Sequence, residues 1–490
     1  MEKHIHILTG KLKLYSPVII GSGESQETDL DLLLDAQGKA FIPGTSLAGV
    51  LRHLSINYLT NDEINLLWGY TQTDKAQQSI LHFSDLPVCE NIKVGTRAGV
   101  KIDTSTGRAA EKLLYEYQII ENGTFAFHLE AIDKDGQNAA IIQKAFSLFR
   151  ALFKEKIRLG AKTTSGFGLI GLDNEQDLTY YFFNLNNKQS FIDWLSGNYE
   201  SYKNELNNLP EIKGTKPKVF RLEANMHLKT SFIIRDYSVD PSRPDAVSLH
   251  SNGIPVISGP SFKGALRSRA ERIINTLGYS IDNARYEAIT ESLLNNLFGA
   301  ASKRQGNSKR GKLFVNEISL KDYPLEQQTR IKIDRFTGGA LGSALLEEMP
   351  VFSNNKESAL IKIILTIEDY EDWEVGLVLL LLKDLWTGDL PVGGEKAIGR
   401  GVFEGSSAKL YFTTHQDNSL SKESFVIEYS NTNQNNNKKI VIKKQDNQIG
   451  NNCLKELNKY IEALKNRIGE ENQKLLENNN QNQVNGQLVK

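Results

Sequence analysis

Cysteine is scarce in this sequence, and long apolar runs are missing. Only Cys89 and Cys453 occur among 490 residues, far apart and in no CxxC spacing, which excludes a disulfide framework and a cysteine-based zinc site. The most apolar run, "VGLVLLLL" at 375–382, is too short to span a bilayer. The N-terminus lacks the basic start and apolar core of a secretory signal. These absences predict a cytoplasmic protein with no membrane partner.

The sequence also lacks an excess of charge of one sign. With 58 Lys and Arg residues against 59 Asp and Glu residues, its net charge is only −1, so any basic surface for nucleic acid must be local. The apolar fraction of 40% and the charged fraction of 24% are those of a globular protein. A chain of 490 residues is long enough for about two to four domains.

Three segments occur twice, in the same order. They are "FIPGTSLAGVLR" (41–52) and "VISGPSFKGALR" (256–267), "GVKIDTSTGRA" (99–109) and "RIKIDRFTGGA" (330–340), and "LGAKTTSGFGLI" (159–170) and "VGGEKAIGRGVF" (392–403). Such a repeat indicates an internal duplication. The offset grows from 215 to 231 positions between the first two pairs, which indicates an insertion near 299–312 in the second copy.

The duplication predicts the domain organisation. We expect a first domain at 1–206, a polar linker with Pro and Gly at 207–217 and a second domain at 218–405. Residues 406–490 are predicted to form a polar, partly disordered extension with a helix near 453–468.

Apolar periodicity is similar in the two copies. Each opens with alternating apolar and polar residues, as at Leu12 and Leu14 or at Phe220 and Leu222, which is typical of a half-buried strand. A helix follows the glycine turn, and then come strands, a second apolar helix, a glycine-rich loop and a last strand. This order predicts an α+β fold with two tandem ferredoxin-like, or RNA-recognition-like, domains.

The repeated glycine turns and glycine-rich loops suggest phosphate binding. Ser46 and Ser261 are predicted to cap the following helices, which would leave first-turn N–H groups as an anion cradle. Cations on the helices and in the glycine-rich loops could then reach a phosphodiester chain. Neither loop has the spacing of a P-loop or a dinucleotide fingerprint. For one isolated motif, a capped core helix with a solvated arginine is the alternative, and the repetition favours binding.

Together these segments carry a family resemblance. The set "IPGTSLAGVLR", "VKIDTSTG", "GAKTTSGFG", repeated as "ISGPSFKGALR", "IKIDRFTGG", "GGEKAIGRG", resembles the repeat-associated mysterious protein (RAMP) superfamily. It specifically resembles backbone subunits of type III CRISPR effector complexes, with two units fused in one chain as in type III-D variants. The resemblance covers about 5–175 and 218–405, and it implies guide RNA, target RNA and other effector subunits as partners.

The resemblance also implies the RNA contacts. The two "KID" segments would belong to thumbs that wedge the guide–target duplex, where Asp103 and Asp334 fit. An aspartate in a turn is, however, more often a local capping group. Copy one departs from the family at Ala48, where a lysine is usual. The predicted RNA-binding residues are Thr45, Ser46, Arg52, Arg108, Lys162, Ser261, Lys263, Arg267, Arg335, Lys396 and Arg400.

A cutting aspartate is implied in the loop between the first strand and the glycine turn. In copy one Asp29 matches best, with Asp31 as its rival, and in copy two Asp245 matches. Asp240 and Asp236 are further candidates in copy two. The carboxylate would bind a divalent metal, Mg²⁺, together with waters and phosphate oxygens.

Three functions remain open on the sequence alone. The chain could be a guide-RNA-bound backbone subunit that cuts target RNA with Asp29 and Asp245, which would make it a metal-dependent endoribonuclease. It could instead be a non-cutting scaffold subunit. As a third possibility, it could be a repeat-RNA processing endoribonuclease, which would generally require a catalytic histidine near its first helix. The tandem layout and the two thumb-like segments favour a backbone subunit.

Overall fold

Two compact units make up the chain, Met1–Lys216 and Pro217–Lys490. The computed structural model describes residues 3–23, 28–72, 75–103, 109–204, 206, 209, 212, 218–237, 244–278, 283–300, 308–354, 359–416, 419–431, 438–444 and 451–487. The division between the units falls within the segment predicted as a linker.

The first unit mixes helices with long strands. Its main elements are β1 (His4–Leu14), α1 (Gly44–Ser55), α2 (Asn61–Trp68), β2 (Leu81–Phe83), β3 (Leu86–Ile102), β4 (Ala109–Asp133), α3 (Ala139–Glu155), β5 (Leu178–Asn184) and α4 (Lys188–Ser196). Short strands lie at Phe41–Ile42, Tyr70–Gln72, Lys75–Gln77, Ile157–Arg158, Ser165–Gly166, Leu169–Gly171 and Lys203–Asn204, and 3-10 helices at Glu175–Asp177 and Glu200–Tyr202.

The core sheet of the first unit has the strand order β5–β1–β4–β2, with neighbours antiparallel. Leu8 and Leu12 of β1 are fully buried because they alternate onto the face that Phe146 and Phe149 of α3 cover. Two helices packed on a sheet of this order give the βαββαβ arrangement of a ferredoxin-like domain. The predicted α+β class is therefore confirmed.

The second unit repeats this arrangement. Its main elements are β6 (Val219–Leu228), β7 (Ala246–Ser248), α5 (Gly259–Leu277), α6 (Asn283–Phe298), β8 (Leu313–Asn316), β9 (Gln328–Ile333), β10 (Ala340–Met349), β11 (Ile361–Glu368), α7 (Asp372–Thr387), β12 (Phe403–Gln416), β13 (Ser419–Asn431), β14 (Lys438–Lys444) and α8 (Asn451–Gln487). Short strands lie at Ser231–Phe232, Arg235–Tyr237, His250–Ser251, Ile254–Ile257, Gly299–Ala300, Lys309–Arg310, Ile318–Ser319 and Val351–Phe352, with a 3-10 helix at Lys396–Ile398. The core order β12–β6–β11–β8 matches that of the first unit.

The described residues of the C-terminal extension form strands and a helix. Strands β13 and β14 continue the sheet antiparallel beyond β12, and α8 packs on α7. Gly376 allows the two helices to approach closely, because a Cβ there would lie 2.1 Å from the carbonyl oxygen of Tyr460. Tyr460 stacks on Phe412 of β12, with ring centres 5.2 Å apart. Described residues of this extension therefore contribute to the second core.

Each unit carries one long antiparallel hairpin at the repeated "KID" segment. The first hairpin pairs β3 with β4 from Val94 and Ile120 to Ile102 and Ala109. The second hairpin pairs β9 with β10 from Gln328 and Glu348 to Ile333 and Ala340. The two hairpins occupy equivalent places in the two copies.

Candidate functional site

The glycine-rich loops fold back in the same way on the end of the first strand. In copy one the Gly168 N–H donates to Pro17 O over 2.7 Å, and in copy two the Gly401 N–H donates to Ser231 O over 2.7 Å. Both glycines have positive φ, +77° and +73°, and a Cβ at either would lie 1.8 Å from a carbonyl oxygen of the same loop. These two glycines are thus required by close packing inside each loop.

The loop aspartates occupy matching positions in the two copies. The Asp29 carboxylate accepts a hydrogen bond from the Glu116 N–H in β4, with 2.7 Å between N and Oδ2. The Asp245 carboxylate accepts from the Glu347 N–H in β10, with 2.9 Å between N and Oδ2. Both aspartates are exposed. Each binds the returning strand of its hairpin, which is β4 in copy one and β10 in copy two. The structure therefore supports their equivalence and adds a partner that the sequence did not indicate.

The other candidate acids of these loops have local surroundings. Asp31 accepts from both the N–H and the hydroxyl of Thr28, each over 2.8 Å, which ties its carboxylate into its own turn. Asp236 lies in a short strand, Arg235–Tyr237, and Asp240 lies outside the described residues. Asp29 thus presents its carboxylate towards the hairpin, and Asp31 towards its own loop.

The repeated helices begin earlier than predicted. Helix α1 starts at Gly44 after Pro43, and α5 starts at Gly259 after Ser258, so Ser46 and Ser261 lie within the first turn and are not the N-caps. The Gly44 N–H donates to the Asp85 carboxylate over 2.8 Å. Because an acidic side chain already occupies this N-terminus, the anion cradle expected in copy one is not supported there. Thr45, one residue further, is exposed.

Arginines on the repeated helices have matching partners within the protein. Arg52 Nη2 lies 3.5 Å from the carbonyl oxygen of Gly69, just after α2, and Arg267 Nη1 donates to the carbonyl of Gly299, just after α6, over 2.7 Å. Arg267 also donates to Asn295 over 2.8 Å. Each arginine therefore joins its helix to the end of the next one, and this contact explains why the residue recurs.

Lys263 is buried. Its ammonium donates to the carbonyl oxygen of Leu313 at the start of β8 over 2.9 Å, and only 7% of the residue is exposed. Burial, followed by the charges of Arg267 and Arg310, lowers the pKa of Lys263 to about 7. The structure thus gives Lys263 and Arg267 internal roles, and their direct contact with RNA stays a prediction.

In copy one, the base of the first hairpin holds an aromatic cluster. The ammonium of Lys162 lies 3.7 Å from the ring centre of Tyr117 and 4.4 Å from that of Tyr115, an attractive cation–π arrangement. Burial lowers the pKa of Lys162 to about 8. Phe167 packs edge-on against Tyr117, and Gly99 leaves room for the ring of Tyr115. Lys162 was predicted from the sequence, and its tyrosine partners were not.

In copy two, the same place holds an ion network. Glu395 lies 2.8 Å from Arg235, 2.8 Å from Arg330 and 2.9 Å from Arg400. The second carboxylate, Glu348, is fully buried and lies 2.7 Å from Arg235. Burial alone would raise the pKa of Glu395, but Arg330, Arg400 and Arg235 outweigh it and hold the pKa below its usual value.

The predicted contact Arg400 therefore lies inside the protein. Only 3% of its side chain is exposed, and it also donates to Gln328 over 2.7 Å. Lys396, its neighbour in the loop, is exposed. These residues have equivalents in copy one. In the aligned repeats, Glu348, Glu395, Arg400 and Arg330 correspond in order to Tyr117, Lys162, Phe167 and Gly99.

The hairpin tips differ in what the structure shows. Arg108 lies outside the described residues, whereas Arg335 is exposed in the turn of the second hairpin. Asp334 closes that turn, since its carboxylate accepts from the Phe336 N–H and the Thr337 hydroxyl, each over 3.0 Å. Phe336 is 100% exposed. This turn presents a cation and an aromatic ring to solvent and uses Asp334 as a capping group.

One face of each hairpin is apolar and exposed. Its residues are Val100 (42% exposed), Ile102 (49%) and Leu114 (67%) in the first hairpin, and Ile331 (56%), Ile333 (57%) and Leu345 (59%) in the second. The offset of 231 positions makes these two sets equivalent one by one. Exposed apolar patches of this kind mark interaction surfaces. In the sequence, these apolar residues alternate with polar ones as they do in an ordinary half-buried strand. Their exposure therefore could not be predicted from the sequence.

Each loop aspartate could supply only part of a divalent metal site. Among the described residues, no group of three or more His, Cys, Asp or Glu side chains is arranged to hold a metal ion. Asp29 uses Oδ2 for the Glu116 N–H, and the described residues offer its other carboxylate oxygen no partner. A single oxygen suits Mg²⁺ only if most of the remaining ligands are waters and phosphate oxygens. The residues fit a metal that is shared with RNA.

The fold and these repeated features define a tandem pair of ferredoxin-like domains, each with a projecting hairpin and a glycine-rich loop. The RAMP superfamily matches residues 11–170 and 225–404, so the chain belongs to this superfamily. Proteins of this superfamily are generally CRISPR-associated and bind RNA, and some are ribonucleases. No curated protein matches the chain. Within the described part of the chain, no helix is long and apolar enough to cross a membrane.

Proposed function

We propose that this chain is a guide-RNA-binding backbone subunit of a type III CRISPR effector ribonucleoprotein of the cytoplasm. In this proposal it cuts guide-paired target RNA with the carboxylates of Asp29 and Asp245. The observation that carries the proposal is the shared position of these two exposed carboxylates, each beside the returning strand of its hairpin. Two equivalent sites in one chain would give two cuts at a fixed spacing.

The residues at each site are suited to a cut in which RNA supplies the nucleophile. Asp29 or Asp245 would hold Mg²⁺ next to the scissile phosphate, where the metal would stabilise the developing negative charge. The target's own 2′-hydroxyl can attack the adjacent phosphorus once its nucleotide is splayed out of the duplex. The P–O5′ bond then breaks, the 2′-hydroxyl proton is lost to solvent, and the 5′-hydroxyl fragment leaves a 2′,3′-cyclic phosphate behind. The exposed apolar faces and Phe336 on the second tip support insertion of the hairpins at such positions.

The test uses the assembled complex with guide RNA and labelled target RNA. Asp29→Asn and Asp245→Asn should each remove one cleavage product and leave target affinity unchanged, because the amide keeps the size of the side chain but loses its charge. Asp31→Asn tests the rival acid. Asp35→Asn is the matched control, since the Asp35 carboxylate closes its own turn by accepting from the N–H groups of Gln37 and Lys39.

The alternatives give different outcomes in the same experiment. If both aspartate variants keep every metal-dependent cut, the chain is a scaffold. The partner that each carboxylate already has within the protein favours this second function, because a carboxylate can be retained for its structural bond alone. If the chain without other subunits cuts a free repeat hairpin, the processing function replaces both.

A further inference from the structure

The loop aspartates are attached to the hairpins by more than one bond. In copy one, Asp29 donates its own N–H to Glu116 O over 3.0 Å while its carboxylate accepts the Glu116 N–H over 2.7 Å. One residue thus binds both main-chain groups of Glu116. The Gln118 N–H then donates to Leu30 O over 3.1 Å. The loop segment after Asp29 therefore runs beside the returning strand of the hairpin.

Copy two has the same connection in a more regular form. Strand β7 pairs in parallel with β10, with Ala246 opposite Glu348 and Val247 opposite Met349. Asp245 stands directly before β7, and its carboxylate accepts the Glu347 N–H. Ser248 adds a bond from its hydroxyl to Met349 O over 3.0 Å. The two copies differ in most side chains at the hairpin base, but they keep this carboxylate-to-amide bond.

We propose that the hairpin positions the loop aspartate, with the N–H of Glu116 in copy one and of Glu347 in copy two as the positioning groups. Each N–H holds one carboxylate oxygen and thereby fixes the direction of the other. A hairpin that moves on binding carries the carboxylate with it, because the loop follows the returning strand. The bond is independent of the proposed function, whereas its effect on cleavage rests on that function.

The physical basis is the strength of a charge-assisted hydrogen bond. Bonds from an amide N–H to an ionised carboxylate are short and about twice as strong as those between neutral groups. Glu116 lies opposite Ala98 in the first hairpin, and its N–H turns away from β3 towards the loop. Loss of the carboxylate therefore leaves this N–H without its protein acceptor, which increases local opening of the strand.

Hydrogen exchange in the RNA-free full chain tests the bond directly. Asp29→Ala should increase exchange at the Glu116 amide by about ten-fold or more, and Asp245→Ala should do the same at Glu347. Asp29→Asn should restore protection, because the amide oxygen still accepts a hydrogen bond. Asp31→Ala should leave Glu116 unchanged. Equal protection of Glu116 in wild type and Asp29→Ala would overturn the proposal, whatever the cleavage results are.

The positioning effect is tested from the hairpin side in the assembled complex. Glu116→Pro removes the N–H and keeps the carbonyl, whereas Glu116→Ala keeps both. The proline variant should lower the rate of one cut by about ten-fold or more at unchanged target affinity, and the alanine variant should not. Glu347→Pro should affect the other cut. Full cleavage in both proline variants would overturn the positioning effect, while loss of cleavage in Asp29→Asn would still support the proposed function.

Discussion

At the scale of single residues, Lys263 is predicted from the sequence to contact RNA, and the structure adds a partner inside the protein. The repeat placed a lysine beside an arginine on a helix that follows a glycine turn, a pattern typical of a phosphate contact. The structure buries its ammonium against the Leu313 carbonyl, where desolvation lowers the pKa to about 7. The lysine is therefore held in a polar contact inside the core and titrates near neutral pH.

This burial predicts a pH dependence of stability. Between about pH 7 and pH 10.5 the unfolded chain holds a proton on Lys263 that the folded chain has lost, so the free energy of unfolding should rise with pH. The slope from one such group approaches about 1.4 kcal/mol per pH unit. Lys263→Met should remove this contribution, which denaturant titrations across this range would measure. Parallel curves for wild type and Lys263→Met would contradict the assignment.

Replacing either of two helical glycines by alanine should raise the stability of the chain and, if RNA passes close to the helix, weaken guide binding. Gly49 of α1 and Gly264 of α5 are equivalent in the repeat, and a Cβ at either position would have open space around it for 4 Å within the described part of the chain. Gly49→Ala and Gly264→Ala should each stabilise the free chain by about 0.5–1 kcal/mol, because alanine favours a helix. Thermal unfolding would measure this effect.

Gly168→Ala is the matched comparison for these two glycines. The clash of its Cβ with Leu159 O should destabilise the first unit. If RNA passes closely over α1 and α5, the two helical variants should also weaken guide binding in spite of their greater stability. Unchanged affinity would show that the space at these helices is not used by RNA.

At the scale of elements, the two hairpins lead to a prediction about RNA register. Leu114→Lys and Leu345→Lys place a charge on the exposed apolar faces, where little packing is lost, so stability should change by less than about 0.5 kcal/mol. If these faces insert at the duplex, the positions of the cuts should become less uniform, and sequencing of the target fragments would show it. Lys332→Ala, which changes an exposed charged residue of the second hairpin, serves as the control.

The elements also show how far the sequence could predict this protein. Periodicity and the repeat gave the ferredoxin-like order of strands and helices, because alternating positions such as Leu12 and Phe220 record a buried face directly. The contacts of Asp29 and Arg400 could not be predicted, since they join residues that are distant in sequence. The polar extension gave no sign of β13 and β14, because a few apolar residues such as Phe425 stand there among many polar ones. In the structure β13 pairs with β12, β14 pairs with β13, and Phe425 is buried in the second core.

At the scale of the whole molecule, the ion network predicts that the second unit loses stability in acid. The arginines around Glu395 hold its pKa below the usual value, so their stabilisation is present above about pH 4.5 and is lost as pH falls through the lower folded pKa. Glu395→Gln should flatten the acid dependence of unfolding for the second unit. Glu326→Gln, at an exposed site, should not. Hydrogen exchange resolved by unit would separate the two responses.

The different hairpin bases of the two units also constrain how the copies could have diverged. Tyr117, Lys162, Phe167 and Gly99 in one copy stand where the other has Glu348, Glu395, Arg400 and Arg330. Changing only Tyr117 to glutamate or only Phe167 to arginine would place a charge in a buried site without its partner, which is strongly destabilising. The effects of the four substitutions are therefore epistatic. We therefore expect each base to change as a set, and a chimera that exchanges the four residues together should be less destabilised than the single exchanges at Tyr117 and Phe167.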